Sequence, residues 1–321
     1  MRKKIAILAG GDVAEREISL LSAQTIYDHL DRERYEPYLV VLTEGAFHEK
    51  STGRQLDLND FTFLHPDTNE RVAFDTVIPY IHGHPVEDGE LQGYFKLLGI
   101  PYTGCDTFVS ALTFRKQACK DFLATLGIPL APSVLIRRGR TDQVAEAEQL
   151  ALPLFVKPNK NGSSYGITKV NDYLDLPTAL EHAFAFDDEV IVEGYLPGRE
   201  FSNGVVRRDG EMVVLPITEI IPEGEYFDYD AKYQGKSREV TPAELSPEQT
   251  AACQERSRQL YDFLGCRGVV RFDYILSDGE FHLLEPNTTP GFSPASLIPQ
   301  QTVEHGWTLT ELWNAILDDL A

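Results

Sequence analysis

Four polar side chains near the carboxyl end of the chain have types and spacing suited to metal and phosphate chemistry. Arg271 and Asp273 lie two residues apart, as do Glu285 and Asn287, and a turn signal at 277–279 separates the pairs. The flanking runs alternate apolar and polar residues, so the sequence predicts a β-hairpin. Side chains two apart share a face of a strand, which would gather three oxygen ligands and one guanidinium. Such oxygens suit Mg²⁺ that bridges nucleotide phosphates, and the arginine suits an oxyanion, so the segment indicates ATP chemistry.

The composition is that of an ordinary soluble protein with room for two or three domains. The chain has 321 residues, of which 42% are hydrophobic and 25% are charged. The net charge of −21 argues against nucleic acid and anionic membranes as partners, although a local cluster of lysines and arginines can still bind a nucleotide. No apolar run is long enough to cross a bilayer. The four cysteines lack metal-type spacing, which indicates reduced thiols in a cytoplasmic protein.

The order of the elements predicts an α/β fold that begins with an open parallel sheet. Strands predicted over 4–9, 35–42 and 75–81 alternate with helices, the first of them over roughly 19–30. Further helices are predicted over 90–98, 107–126, 246–264 and 309–320, and further strands over 133–136, 154–157, 167–170, 189–193, 200–207 and 211–217. Ser246 is the predicted N-cap of its helix, with Pro247 at the first helical position. The predicted domains are 1–104, 105–192 and 193–321.

Two loops of the first domain follow predicted strands at the edge where open α/β sheets bind ligands. Loop 10–19 begins with two glycines but lacks the G-x-G-x-x-G pattern, so a dinucleotide site is weakly supported and an ordinary strand-to-helix turn is preferred. Loop 82–89 holds two histidines and two carboxylates among glycines and a proline. This composition favours a tight loop that lines a substrate pocket, and a metal site is the less favoured interpretation.

Four later segments carry further signals for nucleotide and substrate binding. Loop 158–166 is rich in glycine, serine and asparagine, whose exposed N–H groups can bind phosphate, and Lys157 precedes it at the end of an apolar strand. Segment 193–200 carries two acids and either faces an adenosine or forms a solvated turn. Segment 223–236 is aromatic, charged and without clear periodicity, which predicts a lid. Glycine in 290–297 permits close approach of the backbone to a ligand.

Taken together, these motifs resemble the D-alanine–D-alanine ligases of the ATP-grasp superfamily. The matching segments are 10–20, 82–93, 157–166, 229–233, 271–273 and 284–291. The resemblance spans nearly the whole chain, and the motifs occur in order. It implies an N-terminal α/β substrate-binding domain, followed by a two-lobed ATP-grasp fold with ATP between the lobes. It also implies the ATP-dependent joining of two D-alanines through an acylphosphate, for peptidoglycan precursor synthesis.

The resemblance assigns roles to residues of this chain. Mg²⁺, expected as two ions with Mn²⁺ as an alternative, would be held by Asp273, Glu285 and Asn287. The implied ATP-binding residues are Lys116, Lys157, Ser164, Glu193, Gly194, Leu196, Glu200, Tyr226, Phe227 and Lys232. The implied catalytic residues are Glu15, Ser163, Tyr233, Arg271 and Gly291. The implied substrate-binding residues are Glu15, His82, Tyr233, Arg271, Gly291, Ser296 and Leu297. A homodimer is also implied, with ATP and D-alanine as small-molecule partners.

Four departures from the family pattern concern single residues or a short stretch. Val86 replaces a usual glycine, Arg115 a common aspartate, and Gly194 a frequent lysine. The fourth, 292–295, differs from the usual Met-Thr start and bears on the pocket for the second substrate. None of these changes removes a metal ligand or a phosphate-binding lysine.

Other functions remain open from the sequence. A D-Ala–D-lactate or D-Ala–D-Ser ligase shares the fold; Lys232 followed by Tyr233 resembles the dipeptide-forming type, since lactate-using relatives typically lack that tyrosine. A non-catalytic nucleotide-binding module would have no need of the complete set of polar residues on the hairpin. A nicotinamide oxidoreductase rests on Gly10 and Gly11 alone and is weakly supported.

Overall fold

The chain folds into three larger β-sheets, a small two-stranded sheet and covering helices, in a computed structural model that describes residues 2–11, 15–160, 162, 165–222 and 237–320. The strands are β1 (Lys3–Gly10), β2 (Tyr35–Thr43), β3 (Ala46–Glu49), β4 (Phe63–Leu64), β5 (Arg71–Val72), β6 (Thr76–Pro79), β7 (Ser133–Arg137), β8 (Leu154–Pro158), β9 (Thr168–Val170), β10 (Glu189–Gly194), β11 (Arg199–Arg208), β12 (Glu211–Pro222), β13 (Ser237–Val240), β14 (Val270–Ser277) and β15 (Glu280–Asn287). The helices are α1 (Arg16–His29), α2 (Glu90–Leu98), α3 (Thr107–Phe114), α4 (Lys116–Ala124), α5 (Thr141–Ala147), α6 (Leu176–Phe184), α7 (Pro247–Leu264), α8 (Leu297–Glu304) and α9 (Leu309–Asp318).

The first sheet has the order β3-β2-β1-β6 and confirms the predicted parallel arrangement. β1 pairs in parallel with β2 and with β6, while β3 adds one antiparallel edge. The run from Ile5 to Ala9 is buried throughout, as expected for a central parallel strand covered on both faces. The third predicted strand ends at Pro79 and not at Ile81, because the chain leaves the sheet there to form the loop that contains His82.

Gly10 fixes the path of the chain where β1 enters the first loop. Its φ of +101° lies in the left-handed region, and a Cβ there would lie 2.3 Å from the carbonyl oxygen of Leu42. The N–H of Gly10 donates to Ser19 Oγ at 3.0 Å, which ties the loop to α1. A side chain at this position would therefore force β1 and β2 apart.

We expect Gly10→Ala to lower the free energy of unfolding by at least about 2 kcal/mol, because backbone strain and a backbone clash act together. Gly45→Ala is the matched control, since Gly45 has a φ of +78° with no atom within 4 Å of the added Cβ. That control should lose only about 1 kcal/mol, from the strained φ alone. Thermal and urea denaturation of both variants measure the difference. Equal losses would show that the contact with Leu42 relaxes freely.

The second and third sheets are antiparallel and together carry the central and C-terminal parts of the chain. Their strand orders are β7-β10-β8-β9 and β13-β12-β11-β14-β15. Helix α7 covers one face of the third sheet and begins as predicted. Ser246 accepts a hydrogen bond from the Gln249 N–H and completes a capping box, with Pro247 at the first helical position. No helix of the described ranges combines the length and the apolar character that a bilayer crossing requires.

The hairpin predicted near the carboxyl end is present, as strands β14 and β15. Asp278 and Gly279 at its turn have φ values of +49° and +82°, the left-handed conformations that a two-residue turn requires. In the register, Arg271 is opposite Asn287, and Asp273 is opposite Glu285. The four polar side chains therefore lie on one face of the sheet, as the sequence predicts.

The helix predicted over 107–126 is wrong as a single element, because α3 and α4 are separated at Arg115. Arg115 has φ −95° and ψ 95°, outside the helical region. Asn159 supplies the reason: its carbonyl oxygen accepts from the Lys116 N–H at 3.1 Å, and its Oδ1 accepts from the Gln117 N–H at 2.9 Å. The first N–H groups of α4 are thus satisfied by a residue of the loop that follows β8.

The first sheet packs against the C-terminal helices, which were only partly predicted. Tyr80 lies edge-on to Phe292 and Trp313, with ring centroids 6.0 and 5.8 Å away. Its hydroxyl donates to the carbonyl oxygen of Pro290 at 2.7 Å. Because Tyr80 immediately follows β6, these contacts bring the loop at 82–89 beside the segment at 290–297. Helix α8, which the sequence did not predict, begins within that segment.

Candidate active site

Two cavities adjoin between the sheets and share part of their lining. The larger has a volume of about 320 Å³ and the smaller about 280 Å³. The shared residues are Lys116, Gly162, Arg271 and Glu285. Two ligands that fill the cavities would therefore meet at one guanidinium, one ammonium and one carboxylate.

The larger cavity lies between the second and third sheets and collects most of the residues predicted to bind a nucleotide. The predicted residues that line it are Lys116, Lys157, Glu193, Gly194, Leu196, Glu200, Arg271, Asp273 and Glu285. Apolar walls come from Phe155 on β8, Ile220 on β12 and Ile275 on β14. The cavity thus combines apolar walls with the lysines Lys116 and Lys157, an environment that can hold both a flat ring and a charged chain.

Glu193 holds Lys157, one of the two lysines that line the larger cavity. Its carboxylate contacts the ammonium groups of Lys157 and of Lys120, and its side chain is 8% exposed. Burial raises the pKa of Glu193, but the two lysines reverse the effect and hold it at about 2. The carboxylate is therefore ionised at neutral pH, and Lys157 has the partner that a lysine at the end of an apolar strand requires.

Arg271 and Asp273 form a fixed pair at the junction of the cavities. Arg271 Nε donates to Asp273 Oδ1 at 2.9 Å, and Nη2 donates to Oδ2 at 2.7 Å. The hydroxyl of Ser202, on the neighbouring strand β11, also donates to Asp273 Oδ1. Because the guanidinium and the carboxylate are both largely buried, this two-point contact orients Arg271 along the shared wall.

The oxygen atoms at the junction form a donor set that suits a hard divalent cation. Asp273 and Glu285 are register partners, and Asn287 is the next residue on the same face of β15. The Glu285 carboxylate lies 3.6 Å from the Lys116 ammonium, and Asn287 Oδ1 accepts from the Thr289 N–H at 3.2 Å. Two carboxylates and one amide oxygen on adjacent strands match the ligand chemistry of Mg²⁺ and Mn²⁺.

The smaller cavity lies between the first sheet and the segment 290–297. The predicted residues that line it are Glu15, His82, Lys116, Arg271, Glu285, Asn287, Gly291, Ser296 and Leu297. His82 is buried; its Nε2 lies 3.3 Å from Ser22 Oγ and its Nδ1 lies 3.8 Å from a Glu87 carboxylate oxygen. Ser22 Oγ in turn accepts from the Phe292 N–H at 3.0 Å. These contacts join the two loops that face each other across the cavity.

Glu15 presents its carboxylate between two glycines. A Cβ added at Gly83 would lie 2.9 Å from Glu15 Oε2, and one added at Gly162 would lie 2.9 Å from Oε1. The carboxylate therefore approaches the backbone of both loops more closely than a larger residue would allow. This close approach accounts for glycine at positions 83 and 162 of the two loops.

The opposite end of the smaller cavity is the N-terminus of α8. Ser296 is its N-cap, and Ser296 Oγ accepts from the Ser293 N–H at 3.0 Å. Leu297 begins the helix and lines the cavity with Ser293. The N–H groups of a first helical turn point outward without intrahelical partners, so this end suits a carboxylate.

Some predicted residues lie outside the described part of the chain, and some residues of the site were not predicted. The former are Ser163, Ser164, Tyr226, Phe227, Lys232 and Tyr233.

The residues of the site that were not predicted include Lys120 and Asn159. For Lys120 a signal exists in the sequence, since it follows Lys116 by one helical turn. Glu239 of β13, which lines the smaller cavity and accepts from Gln300 Nε2 at 2.7 Å, carries no signal in the sequence.

The loop 82–89 places its two histidines differently. His82 enters the smaller cavity, whereas His84 is exposed, and its Nδ1 lies 2.6 Å from Asp88 Oδ2. His84, Asp88 and Glu90 bring their ligand atoms within 4.8 Å of one another. Because His84 and Glu90 are solvent-exposed and line neither cavity, this group is separate from the site described above.

Comparison with known protein families finds matches over most of the chain. The family model described as D-ala D-ala ligase N-terminus matches residues 4–105. The model described as D-ala D-ala ligase C-terminus matches residues 122–318.

Individual relatives match over their full length. The D-alanine–D-alanine ligase of Phocaeicola vulgatus is 44% identical over 99% of each chain. Among solved structures, the VanG D-Ala:D-Ser ligase of Enterococcus faecalis has a TM-score of 0.89 and 31% identity, with 100% of both chains covered. The D-alanine–D-alanine ligase of Bacillus anthracis, solved in complex with ATP, has a TM-score of 0.78 and 27% identity, with 98% of this chain and 96% of that chain covered.

Proposed function

This chain belongs to the D-alanine–D-alanine ligase family, and we propose that it joins two molecules of D-alanine into D-alanyl-D-alanine with ATP as co-substrate. The observation that carries the proposal is the wall shared by the two cavities, where Lys116, Arg271 and Glu285 face both. ATP phosphorylates the carboxylate of the first D-alanine, and the amine of the second then attacks the acylphosphate. The product is a precursor of peptidoglycan, and the enzyme acts in the cytoplasm.

ATP would occupy the larger cavity with its phosphates at the junction. The volume and the apolar walls suit an adenine ring, and Glu193, Gly194, Leu196 and Glu200 line the side where the base and ribose would lie. Lys157 and Lys116 lie toward the phosphates, which are the anionic part of the ligand. The Bacillus anthracis relative was solved in complex with ATP, which supports ATP as the nucleotide. The lid segment 223–236, including Tyr226, Phe227 and Lys232, would close over the nucleotide.

Asp273, Glu285 and Asn287 would hold Mg²⁺, which screens the negative charges of the phosphates when it is bound. Both the terminal phosphate and a substrate carboxylate are anions, so they can approach only where positive charge is fixed in place. The chain supplies such charge itself through Lys116 and Arg271. Because Arg271 is held by Asp273, it needs little reorganisation when charge develops on the reacting carboxylate.

The smaller cavity would hold both D-alanines. Glu15 receives the ammonium of the first, and His82 lies beside it. The N-terminus of α8, with Ser296 and Leu297, receives the carboxylate of the second. Arg271 and the N–H of Gly291 donate to the oxygen of the tetrahedral adduct that forms on attack. On the family resemblance, Ser163 and Tyr233 would form a hydrogen-bonded triad with Glu15 that closes the lid and orients the second substrate.

A D-Ala–D-Ser ligase is the second candidate function. The Enterococcus faecalis D-Ala:D-Ser ligase matches this chain over its full length, and Ser293 places a hydroxyl in the smaller cavity. A hydroxyl there can donate a hydrogen bond to the hydroxyl of D-serine, or accept one from it. We rank D-alanyl-D-alanine formation first, because the D-alanine–D-alanine ligase of Phocaeicola vulgatus is 44% identical to this chain, whereas the D-Ala:D-Ser ligase is 31% identical.

Two further features are proposed on the family resemblance. The domains are 1–104, 105–192 and 193–321, with substrate in the first and the nucleotide between the other two. The protein acts as a homodimer.

We expect phosphate release from ATP that depends on both Mg²⁺ and D-alanine, with D-alanyl-D-alanine identified by mass spectrometry. D-serine and D-lactate, tested as second substrates beside D-alanine, should give values of kcat/KM at least about tenfold lower, since a pocket built for one group discriminates by this order. Removal of divalent cations with EDTA should abolish turnover, and Mg²⁺ or Mn²⁺ should restore it. A higher kcat/KM with D-serine would establish the second candidate instead, and no release with any D-amino acid would reject both.

A further inference from the structure

A buried cluster of three charged side chains lies beside the larger cavity. The carboxylate of Glu193 contacts the Lys120 ammonium through Oε1 and the Lys157 ammonium through Oε2. The side chains of Glu193 and Lys120 are each 8% exposed, and that of Lys157 is 14% exposed. Two cations therefore surround one anion in a region with little water.

The two lysines differ in what else they can reach. Lys157 lines the larger cavity together with Glu193, whereas Lys120 does not belong to its lining. Lys120 lies on α4, one turn after Lys116, and lines a small recess behind the cavities, with which the recess shares Lys116 and Glu285. A ligand in the larger cavity can thus contact Lys157 and Glu193 directly, but it interacts with Lys120 only through Glu193.

Burial opposes every charge of the cluster, so the charges depend on one another. Burial lowers the pKa of Lys157, but Glu193, with Glu285 and Glu200, more than reverses this, so that the pKa of Lys157 lies above the usual value. Burial, together with the nearby charge of Lys157, lowers the pKa of Lys120 by more than Glu193 restores. If Lys157 turned toward an anionic ligand, Glu193 would keep a single counter-ion, Lys120. If Lys120 were absent, the buried Glu193 carboxylate would either hold Lys157 more tightly or take up a proton when Lys157 left.

Building on the proposed nucleotide site, we propose that Lys120 is a positioning residue for ATP. It keeps Glu193 ionised and in place while Lys157 exchanges its contact with Glu193 for a contact with the phosphates. Without Lys120, Glu193 would retain Lys157 and withhold it from the nucleotide. The reacting atoms lie at the junction of the cavities, so the loss concerns nucleotide affinity and not the chemical step.

The test is the affinity of the full-length protein for ADP with Mg²⁺, measured by titration calorimetry, in Lys120→Met. Methionine keeps the length of the side chain and removes its charge. We expect the Kd for ADP to rise about tenfold, and the KM for ATP to rise by a similar factor with kcat changed less than about twofold. Lys96→Met, on the exposed side of α2, is the matched control and should leave the Kd unchanged.

A double-mutant cycle separates this role from simple packing. Glu193→Gln removes the charge that Lys120 neutralises, so adding Lys120→Met in that background should change the Kd less than about twofold. A loss of packing would instead weaken ADP binding by the same factor in both backgrounds, which would overturn the proposal. An unchanged Kd in Lys120→Met alone would also overturn it.

A second variant covers the case in which Lys120→Met does not fold. If Lys120→Met fails to fold, Lys120→Gln keeps a donor for Glu193 and should raise the Kd by a smaller factor, while an unchanged Kd would again count against the proposal. ADP binding does not require D-alanine. The ligase function can therefore fail independently of the role of Lys120: it fails if the parent protein binds ADP but releases no phosphate in response to D-alanine.

Discussion

Replacing Glu285 with glutamine is expected to lower kcat by about 10³-fold or more, which corresponds to roughly 4 kcal/mol of the barrier. Glutamine keeps the shape and one oxygen but removes the negative charge from the proposed metal site. It also leaves the Lys116 ammonium, 3.6 Å from the carboxylate, without that anion. Because Glu285 is partly exposed at the junction of two cavities, the fold should survive, with a melting temperature close to that of the parent.

The control for this variant is Glu280→Gln, an exposed position at the start of the same strand. It should retain the parent kcat. The stabilisation of the ADP complex by Mg²⁺, followed as a thermal shift, should disappear in Glu285→Gln and persist in Glu280→Gln. Retention of both turnover and the Mg²⁺-dependent shift in Glu285→Gln would refute the metal role of this residue.

Replacing Arg271 with lysine is expected to lower kcat by about 10²–10³-fold, the loss typical of removing one oxyanion donor. Lysine keeps the charge but cannot make the two-point contact with Asp273, in which Nε and Nη2 donate at 2.9 and 2.7 Å. The remaining cation would therefore be mobile at the place where charge develops. The KM for ATP should change less than about threefold, since the lost interaction belongs to the transition state.

Arg267→Lys, an exposed position just before the same strand, is the matched control and should leave kcat unchanged. A fall in kcat/KM for Arg271→Lys that comes entirely from KM would mean that Arg271 only binds ground-state substrate. In that case the oxyanion role passes to the Gly291 N–H and to Lys116.

The hairpin was predictable because its signals are local. Alternation over a few residues and a turn at Asp278 and Gly279 determine which side chains share a face, and the register places Asp273 opposite Glu285. The capping box at Ser246 is local in the same way. Where neighbours in sequence decide the structure, the sequence alone was sufficient.

The break between α3 and α4 could not be predicted, since its cause lies more than 40 residues away. Nothing near Arg115 ends a helix; the N–H groups that follow it are bound by Asn159. The same holds for the site as a whole. Glu15 approaches Gly162 only because loops of the first and second sheets meet, and Lys120 of α4 pairs with Glu193 of β10 across 73 residues of sequence.

The proposed acylphosphate route is tested most directly by following the carboxylate oxygens of the first D-alanine. The two cavities meet where the terminal phosphate of ATP would face the carboxylate of D-alanine, so the carboxylate oxygen should attack that phosphate. With D-alanine labelled by ¹⁸O in its carboxylate, we expect one ¹⁸O atom in the inorganic phosphate released for each dipeptide formed. Label found in AMP, or phosphate free of ¹⁸O during dipeptide formation, would contradict it.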